Sequence, residues 1–165
     1  MWSYKNPVQI IFGKGAFASL SELIAGRSYA LITYPDKSFA EIAAELSAKA
    51  GDALLTINDV VPNPDTSLLN EQSARFKQLV KKPEVIVALG GGSVIDSAKV
   101  FAAASGDFNK VLNLLQTGHC DDTPETIPII AVPTTAGTGS EVTCWATLWR
   151  RETQQKVSLA LKELD

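Results

Sequence analysis

Short apolar runs alternate along this chain with stretches in which apolar residues recur at helical spacing. Five runs have the length and the β-branched content of strands, at residues 8–12, 29–33, 53–57, 85–89 and 127–132. Helical patterns separate most of them, and such alternation is typical of a parallel sheet whose crossover connections are helices. We therefore predict an α/β fold, a Rossmann-like parallel sheet flanked by helices.

Cap residues mark where the main helices begin. One helix is predicted after Ser38, a second after Asp65 or Thr66, and a third near Ser93. Beyond residue 142 the pattern changes to two β-leaning runs separated by a polar turn. This change predicts a carboxyl-terminal β-hairpin rather than another strand–helix unit.

The size and charge of the chain are those of one soluble globular domain. It has 165 residues, of which 45% are hydrophobic and 20% charged, so it can bury a core. A net charge of -3, with basic pairs only at 81–82 and 150–151, argues against nucleic acid or an anionic membrane as partner. The most apolar stretch, 85–104, contains Asp96, Lys99 and three glycines and does not predict a membrane span. With no signal-peptide core at its amino end, the chain is expected to be cytoplasmic.

Cysteine and histidine are too few to define a disulfide framework or a metal site. The chain has two cysteines, Cys120 and Cys144, and one histidine, His119. A structural metal site normally needs four such ligands. We therefore expect His119 and Cys120 to be loop residues and predict no metal ligands in this chain.

The strongest candidate for chemistry is the junction between the fourth apolar run and the helix after it. Gly90, Gly91, Gly92 and Ser93 form this junction. Glycines let a ligand approach the backbone closely, and the start of a helix offers unpaired N–H groups and the positive end of its dipole. The junction is therefore predicted to bind an anion such as a pyrophosphate. The alternative is a tight turn that serves only helix–strand packing.

A second glycine motif competes for the phosphates. GKGAFA at 13–18 fits GxGxxA, and Asp36 follows it at close to the separation of an orthodox Rossmann fingerprint. We favour the loop at Gly90 because it follows a strongly apolar run, whereas 8–12 is short and near the terminus. The sequence lacks GxxxxGK followed by Ser or Thr, which disfavours kinase or ATPase chemistry.

Asp36 follows the second apolar run, in the segment ITYPDKS at 32–38. A carboxylate at the end of a parallel strand accepts both hydroxyls of an adenosine ribose and repels a 2′-phosphate. It therefore predicts NAD rather than NADP as the cofactor. A turn or helix-capping aspartate beside Pro35 explains the residue equally well.

The segment PTTAGTGS at 133–140 has scarcely a side chain larger than threonine. Such a run packs little core, but its hydroxyls and peptide N–H groups are hydrogen-bond donors that lie open to a ligand. We interpret it as a polar surface that faces a ligand. A surface loop rich in turn formers is the alternative.

Four motifs together resemble the iron-containing (group III) alcohol dehydrogenases. They are GGGSVIDSAK at 90–99, PTTAGTGSEVT at 133–143, VVPNPD at 60–65 and NPVQIIFGKG at 6–15. The resemblance spans essentially the whole chain and implies that residues 1–165 are a dinucleotide-binding domain, a dehydroquinate-synthase-like amino-terminal domain. In that family a helical domain follows, whose aspartate and three histidines hold Fe²⁺ or another divalent metal. That domain is absent from these 165 residues.

The resemblance also implies which residues contact the cofactor. Those at 90–93 are similar to the pyrophosphate loop, and the threonines at 134–138 to the floor that runs from adenine to nicotinamide. Asp36 matches the adenosine-ribose residue, Asn63 a cofactor-side loop contact, and Lys156 a hairpin lysine near ribose or phosphate. The complete implied set is Asp36, Asn63, Gly90, Gly91, Gly92, Ser93, Asp96, Thr134, Thr135, Thr138, Thr143 and Lys156.

The implied function is the cofactor-binding half of an NAD(P)-dependent, metal-dependent alcohol dehydrogenase or aldehyde reductase. Hydride would move between the nicotinamide and a small alcohol or aldehyde, with the metal of the full-length protein polarising the substrate oxygen. The chain alone is expected to be inactive. The alternatives are a stand-alone nucleotide-binding or interaction module and a lyase domain of the dehydroquinate-synthase type. Trp145 and Trp149 predict a homodimer through the hairpin, or else they pack on the sheet.

Overall fold

The computed structural model describes residues 1–2, 6–117 and 126–160, and its centre is a four-stranded parallel sheet. The strands are β1 (Tyr29–Ile32), β2 (Leu55–Ile57), β3 (Val85–Gly90) and β4 (Ile129–Pro133). Their order across the sheet is β2-β1-β3-β4. Every residue of β1 and β3 is buried, because neighbouring strands and helices cover both edges and both faces. The predicted parallel sheet flanked by helices is confirmed.

Five α-helices accompany the sheet within the described residues. They are α1 (Leu20–Ile24), α2 (Lys37–Ala50), α3 (Thr66–Lys77), α4 (Gly92–Ala104) and α5 (Phe108–Thr117). Asp65 caps α3 as predicted, since its carboxylate accepts a hydrogen bond of 2.9 Å from the Ser67 amide. The prediction of Ser38 as the cap of α2 is wrong. Asp36 holds the extended cap conformation, and the helix begins at Lys37.

Alternate residues of the central strands separate two apolar cores. In β3, Val85, Val87 and Leu89 face a core that they share with α1 and α2. Ile86 and Ala88 face the larger core, which α3, α4 and the hairpin complete. This alternation explains the unbroken apolar run, since both faces of a sheet covered by helices must be apolar.

The predicted first strand at 8–12 is wrong. Residues 6–12 adopt no regular structure, and the side chains of Ile10 and Phe12 are 68% and 98% exposed. A strand needs a neighbour to pair its backbone groups, and none of the described residues pairs with this segment. The motif at 13–18 therefore follows an unpaired segment and leads into a single 3-10 turn at Ala16–Ser19.

The predicted hairpin is confirmed. Strands β5 (Trp145–Arg150) and β6 (Gln155–Ala160) pair antiparallel, joined by a 3-10 turn at Arg151–Thr153. The amide of Trp149 donates a 2.8 Å hydrogen bond to the carbonyl of Pro64, in the loop before α3. The hairpin thus packs beside the sheet rather than extending it.

His119 and Cys120, predicted to be loop residues, lie outside the described residues. Among the helices that are described, none combines the length and the apolar character needed to cross a bilayer.

Candidate functional site

The strand order reverses between β1 and β3, and a cleft opens at that point. From β1 the chain runs to β2, which pairs with one edge of β1, and then crosses to β3, which pairs with the other edge of β1. In open parallel sheets, ligands bind at the carboxyl ends of the strands where the order reverses, because the connections there diverge to opposite faces. The Thr33 hydroxyl donates a 2.9 Å hydrogen bond to the Leu89 carbonyl and fixes the two strand ends together. The cleft has a volume of about 420 Å³.

Seven of the twelve predicted site residues line this cleft. They come from the loop before α3, from the start of α4 and from the segment after β4, and are Asn63, Gly91, Gly92, Ser93, Asp96, Thr135 and Thr138. Two of the three segments were singled out as ligand-facing from the sequence pattern. The structure places them on opposite sides of one cleft, as a common ligand would require.

Gly91 and Gly92 are positions where the two sides of the cleft touch. We call residues 90–93 the glycine loop and residues 134–140 the hydroxyl wall. A Cβ added to Gly91 would lie 2.8 Å from Oγ1 of Thr135, and one added to Gly92 would lie 3.0 Å from Oγ1 and Cγ2 of Thr138. Both distances are shorter than normal contacts, so the wall can approach α4 this closely only against glycine.

The glycine loop also presents the start of α4 to the cleft. The cap residue of the helix is Gly91, which has no side chain to accept a hydrogen bond from the first N–H groups of α4. The first N–H groups of a helix have no acceptors within the helix, and the positive end of the dipole adds about 0.3–1 kcal/mol per bound negative charge. An anion here would satisfy these groups, which is the arrangement found in phosphate-binding helices.

Gly90 has a different role from its two neighbours. A Cβ at Gly90 would lie 2.5 Å from Cγ2 of Val94, inside the first turn of α4. Its carbonyl accepts a 3.0 Å hydrogen bond from the Thr134 amide. Gly90 therefore permits helix–strand packing, so the alternative considered for the whole loop applies to this glycine.

Asp96 is the buried acid of the site. It is 9% exposed, and its Oδ2 accepts a 3.1 Å hydrogen bond from the Thr147 amide in β5. No hydrogen bond of normal geometry reaches Oδ1 within the described part of the chain. Burial raises the pKa of Asp96, against the opposing effects of the Thr147 amide, of the positive charge on Lys99 and of the nearby Ser140 hydroxyl, whose geometry towards Oδ1 is not that of a full hydrogen bond. A ligand hydroxyl in the cleft could donate a hydrogen bond to Oδ1 and offset the free-energy cost of burying this oxygen without a partner.

Asn63 links the loop before α3 to the start of α4. It has a left-handed backbone with φ of 59°, which asparagine tolerates better than most residues. The backbone amide of Asn63 donates a 3.2 Å hydrogen bond to the Ser93 hydroxyl oxygen, which leaves the hydroxyl proton of Ser93 available to a ligand. This contact explains why VVPNPD belongs to the site although it is distant in sequence.

The other predicted residues do not line the cleft. Asp36 is exposed at the start of α2, at the carboxyl end of β1, on the same edge of the sheet. Thr134 follows β4 directly, and Thr143 lies behind the wall with its hydroxyl 3.4 Å from the Lys99 ammonium. Lys156 pairs with Trp149 in the hairpin, and its charge acts to lower the pKa of Asp96.

Sequence reasoning missed five residues that line the cleft, which are Tyr34, Pro64, Ser140, Thr147 and Trp149. Ser140 is the last residue of the hydroxyl-rich segment 133–140, so its composition was a signal for this residue. Thr147 and Trp149 alternate in β5, so strand periodicity put them on one face but could not show which surface that face meets.

A metal does not fit the described residues. No group of three or more His, Cys, Asp or Glu among residues 1–2, 6–117 and 126–160 could hold a metal ion. The lining is instead one of amides, hydroxyls and a single carboxylate, a donor set that suits a phosphate- and ribose-bearing ligand.

Comparison with known proteins gives one consistent family. The profile of the iron-containing alcohol dehydrogenases matches residues 7–164. The choline dehydrogenase of Bacillus subtilis is 35% identical and aligns over 93% of this chain and 40% of its own length. The NADPH-dependent aldehyde reductase of Escherichia coli K12 is 34% identical, over 92% of this chain and 40% of its own. This chain thus spans about two fifths of the length of these relatives.

Solved structures agree with this assignment. The sulfoacetaldehyde reductase from Bifidobacterium kashiwanohense, solved in complex with NAD⁺, is 30% identical to this chain with a TM-score of 0.83. The match covers 99% of this chain and 44% of that one. The sheet and the hairpin therefore occur together in a known enzyme fold.

Proposed function

The chain belongs to the iron-containing alcohol dehydrogenase family, and from that membership we propose that its cleft binds a nicotinamide dinucleotide for alcohol or aldehyde oxidoreduction. Its relatives are alcohol and aldehyde dehydrogenases and reductases. The proposal extends their activity to this chain as its cofactor-binding part, with residues 1–165 acting as one dinucleotide-binding domain.

The contact between Gly91 and Thr135 is the observation that carries the proposal. It brings the start of α4 beside a row of hydroxyls, so that a diphosphate in the cleft next to this contact would meet amide donors from the helix and hydroxyl donors from the wall. One helix dipole contributes only about 0.3–1 kcal/mol per charge. Affinity must therefore come from several amide and hydroxyl hydrogen bonds acting together, each contributing about 0.5–1.5 kcal/mol or more when the acceptor is charged.

Three side chains would orient the rest of the ligand. Ser93 has a hydroxyl proton free for a phosphate oxygen, because its oxygen already accepts from Asn63. Asp96 would accept a ribose hydroxyl at Oδ1, and its burial would exclude water from that contact. Trp149, half-buried at the cleft, offers a flat apolar surface to a ring.

The bound nicotinamide would supply the hydride chemistry, as it takes up or releases hydride at its ring. This chain's residues would hold the dinucleotide and limit the rotation of its ribose and phosphates. Because the described residues include no metal site, polarisation of the substrate oxygen is not assigned to any of them.

Cofactor preference and assembly are further parts of the proposal. Asp36 at the carboxyl end of β1 favours NAD, although relatives include both an NADPH-dependent aldehyde reductase and an NADH-dependent butanol dehydrogenase. Fe²⁺ or another divalent metal, a small alcohol or aldehyde substrate, a cytoplasmic location and a homodimer through the hairpin stay predictions.

Calorimetric titration tests the proposal directly. The 165-residue chain would be titrated with NADH, NADPH, ADP-ribose and inorganic pyrophosphate at constant salt. We expect binding of NADH and ADP-ribose, with weaker binding of pyrophosphate because it lacks the ribose contacts. A chain that is folded by circular dichroism yet binds neither NADH nor ADP-ribose would contradict the proposal, and tight binding of an unrelated phosphorylated ligand would favour a stand-alone module.

A further inference from the structure

Lys99 is a buried charge that the proposed ligand contacts do not use. It lies on α4, one turn beyond Asp96, and only 3% of its surface is exposed. Burial lowers the pKa of Lys99, and the negative charge of Asp96 opposes this change. A lysine is rarely buried unless its donors are satisfied, so its surroundings need an explanation.

The Lys99 ammonium binds two neighbouring segments that both lie far from Lys99 in the sequence. It donates hydrogen bonds of 2.7 Å to the Ser140 carbonyl and 2.6 Å to the Trp145 carbonyl. The Thr143 hydroxyl oxygen, at 3.4 Å, is the third acceptor. Ser140 ends the hydroxyl wall and Trp145 begins the hairpin, so one cation holds both against α4.

We propose that Lys99 is a positioning residue: its ammonium fastens the hydroxyl wall and the hairpin to α4 and thereby sets the width of the cleft. The role in ligand binding rests on the proposed function. Lys99 does not line the cleft. It acts through Thr138, which meets Gly92, and through Thr147, whose amide binds Asp96.

The backbone around the wall explains why a cation is needed there. Residues 134–139 contain no helix or strand, and Gly137 and Gly139 have φ of 124° and 63°. Such a segment gains little order from its own hydrogen bonds, so contacts at its ends determine its position. Charge-assisted hydrogen bonds are stronger than neutral ones, and Lys99 supplies them where the wall ends.

Loss of this anchor would reduce affinity without removing any group that touches the ligand. If the wall occupied its bound position in about one molecule in ten, the apparent Kd would rise about tenfold. The variant Lys99→Met keeps an unbranched apolar side chain as long as the aliphatic part of lysine and removes the ammonium donors. Lys99→Arg keeps the charge, and Lys49→Met removes an exposed lysine that pairs with Glu45 on α2.

Hydrogen exchange and NADH binding together test the proposal. In Lys99→Met we expect amide exchange about tenfold faster at residues 134–147 and unchanged in α2, with NADH affinity about tenfold weaker. Lys99→Arg should recover part of both, as should ethylamine added to Lys99→Ala, since a small cation can refill the vacated space. Lys49→Met should match the parent chain.

The outcomes separate this inference from the proposed function. Parental exchange and parental NADH affinity in Lys99→Met would overturn it, as would faster exchange spread evenly over the whole chain. A parent chain that binds no dinucleotide would end the proposed function, while localised faster exchange at 134–147 would still support the positioning role. If Lys99→Met does not fold, Lys99→Gln is judged by the same criteria.

Discussion

A Cβ on Gly91 would lie 2.8 Å from Oγ1 of Thr135, so these two residues mark where the two sides of the cleft meet. Gly91 has φ of −83°, which any residue can adopt. The glycine is therefore required by its neighbour and not by its backbone, and the consequences of replacing it can be assigned to one contact.

The first prediction is that Gly91→Ala and Thr135→Ala are strongly coupled. Gly91→Ala should destabilise the chain by about 1–3 kcal/mol through overpacking and weaken NADH binding. The double variant should recover at least about 0.5 kcal/mol of stability relative to the sum of the single variants, because Thr135→Ala removes the clashing hydroxyl. Urea unfolding measures all four proteins of the cycle. Additive effects would show that the contact does not exist.

The second prediction compares two aspartates that both cap helices. Asp65→Ala should cost about 2 kcal/mol, since it removes the cap bond to Ser67. It also removes the 3.2 Å hydrogen bond from the Arg151 amide, which belongs to the turn of the hairpin. Asp36→Ala should change stability by less than about 0.5 kcal/mol, because Asp36 makes no side-chain cap bond. Equal losses in urea unfolding would contradict this assignment.

The third prediction concerns cofactor preference. Asp36→Ser should raise the affinity for NADPH relative to NADH, because the carboxylate no longer repels a 2′-phosphate. Asp36 is exposed, so the fold should be retained. Calorimetric titration of parent and variant with both dinucleotides gives the ratio. An unchanged ratio would remove Asp36 from its proposed role.

The fourth prediction is that stability depends on pH through Glu84, which lies at the amino ends of the strands, away from the cleft. Hydrogen bonds from Ser28, with Lys81 beside them, lower the pKa of Glu84 from 4.5 to about 2. A carboxyl whose pKa is lowered by folding stabilises the folded state above its unfolded pKa. That contribution is lost as pH falls from about 4.5 through about 2.

Urea unfolding between pH 7 and pH 2 tests this effect with two variants. Glu84→Gln should be less stable than the parent at pH 7, and the difference should shrink towards pH 2. The control Glu22→Gln, on the exposed side of α1, should show no comparable change. A constant difference between parent and Glu84→Gln would show that the Ser28 contacts do not depend on ionisation.

The fold could be predicted because its information is local. Apolar runs, caps and turn residues indicated β1 to β4, the helices α2, α3 and α4, and the hairpin to within a few residues, whereas α1 and α5 were not predicted. Residues 8–12 failed because an apolar run shows strand propensity but does not show whether a neighbour exists to pair with it. The start of α2 was predicted at Ser38 and not at Asp36 because both residue types are good helix caps, and only the backbone conformation distinguishes them.

The candidate site was predictable on two sides only. The glycine loop and the hydroxyl wall are contiguous segments with unusual composition, so the sequence shows them directly. The third side is formed by Pro64 and Trp149, which lie 85 positions apart in the chain and are joined by one backbone hydrogen bond. A local sequence pattern cannot predict a contact between residues so far apart. Lys99 was missed for the same reason, since its acceptors lie some 40 positions later.

The contacts of the hairpin determine when the cleft can form during synthesis. The four strands of the sheet have all been synthesised once β4 has left the ribosome. The hydrogen bonds of Asp96 with Thr147, of Lys99 with Trp145 and of Asp65 with Arg151 can form only after the hairpin has followed. A nascent chain that ends before residue 145 would carry the glycine loop with one side open to water. The cleft therefore gains its last side, with Thr147 and Trp149, only after the hairpin has been synthesised.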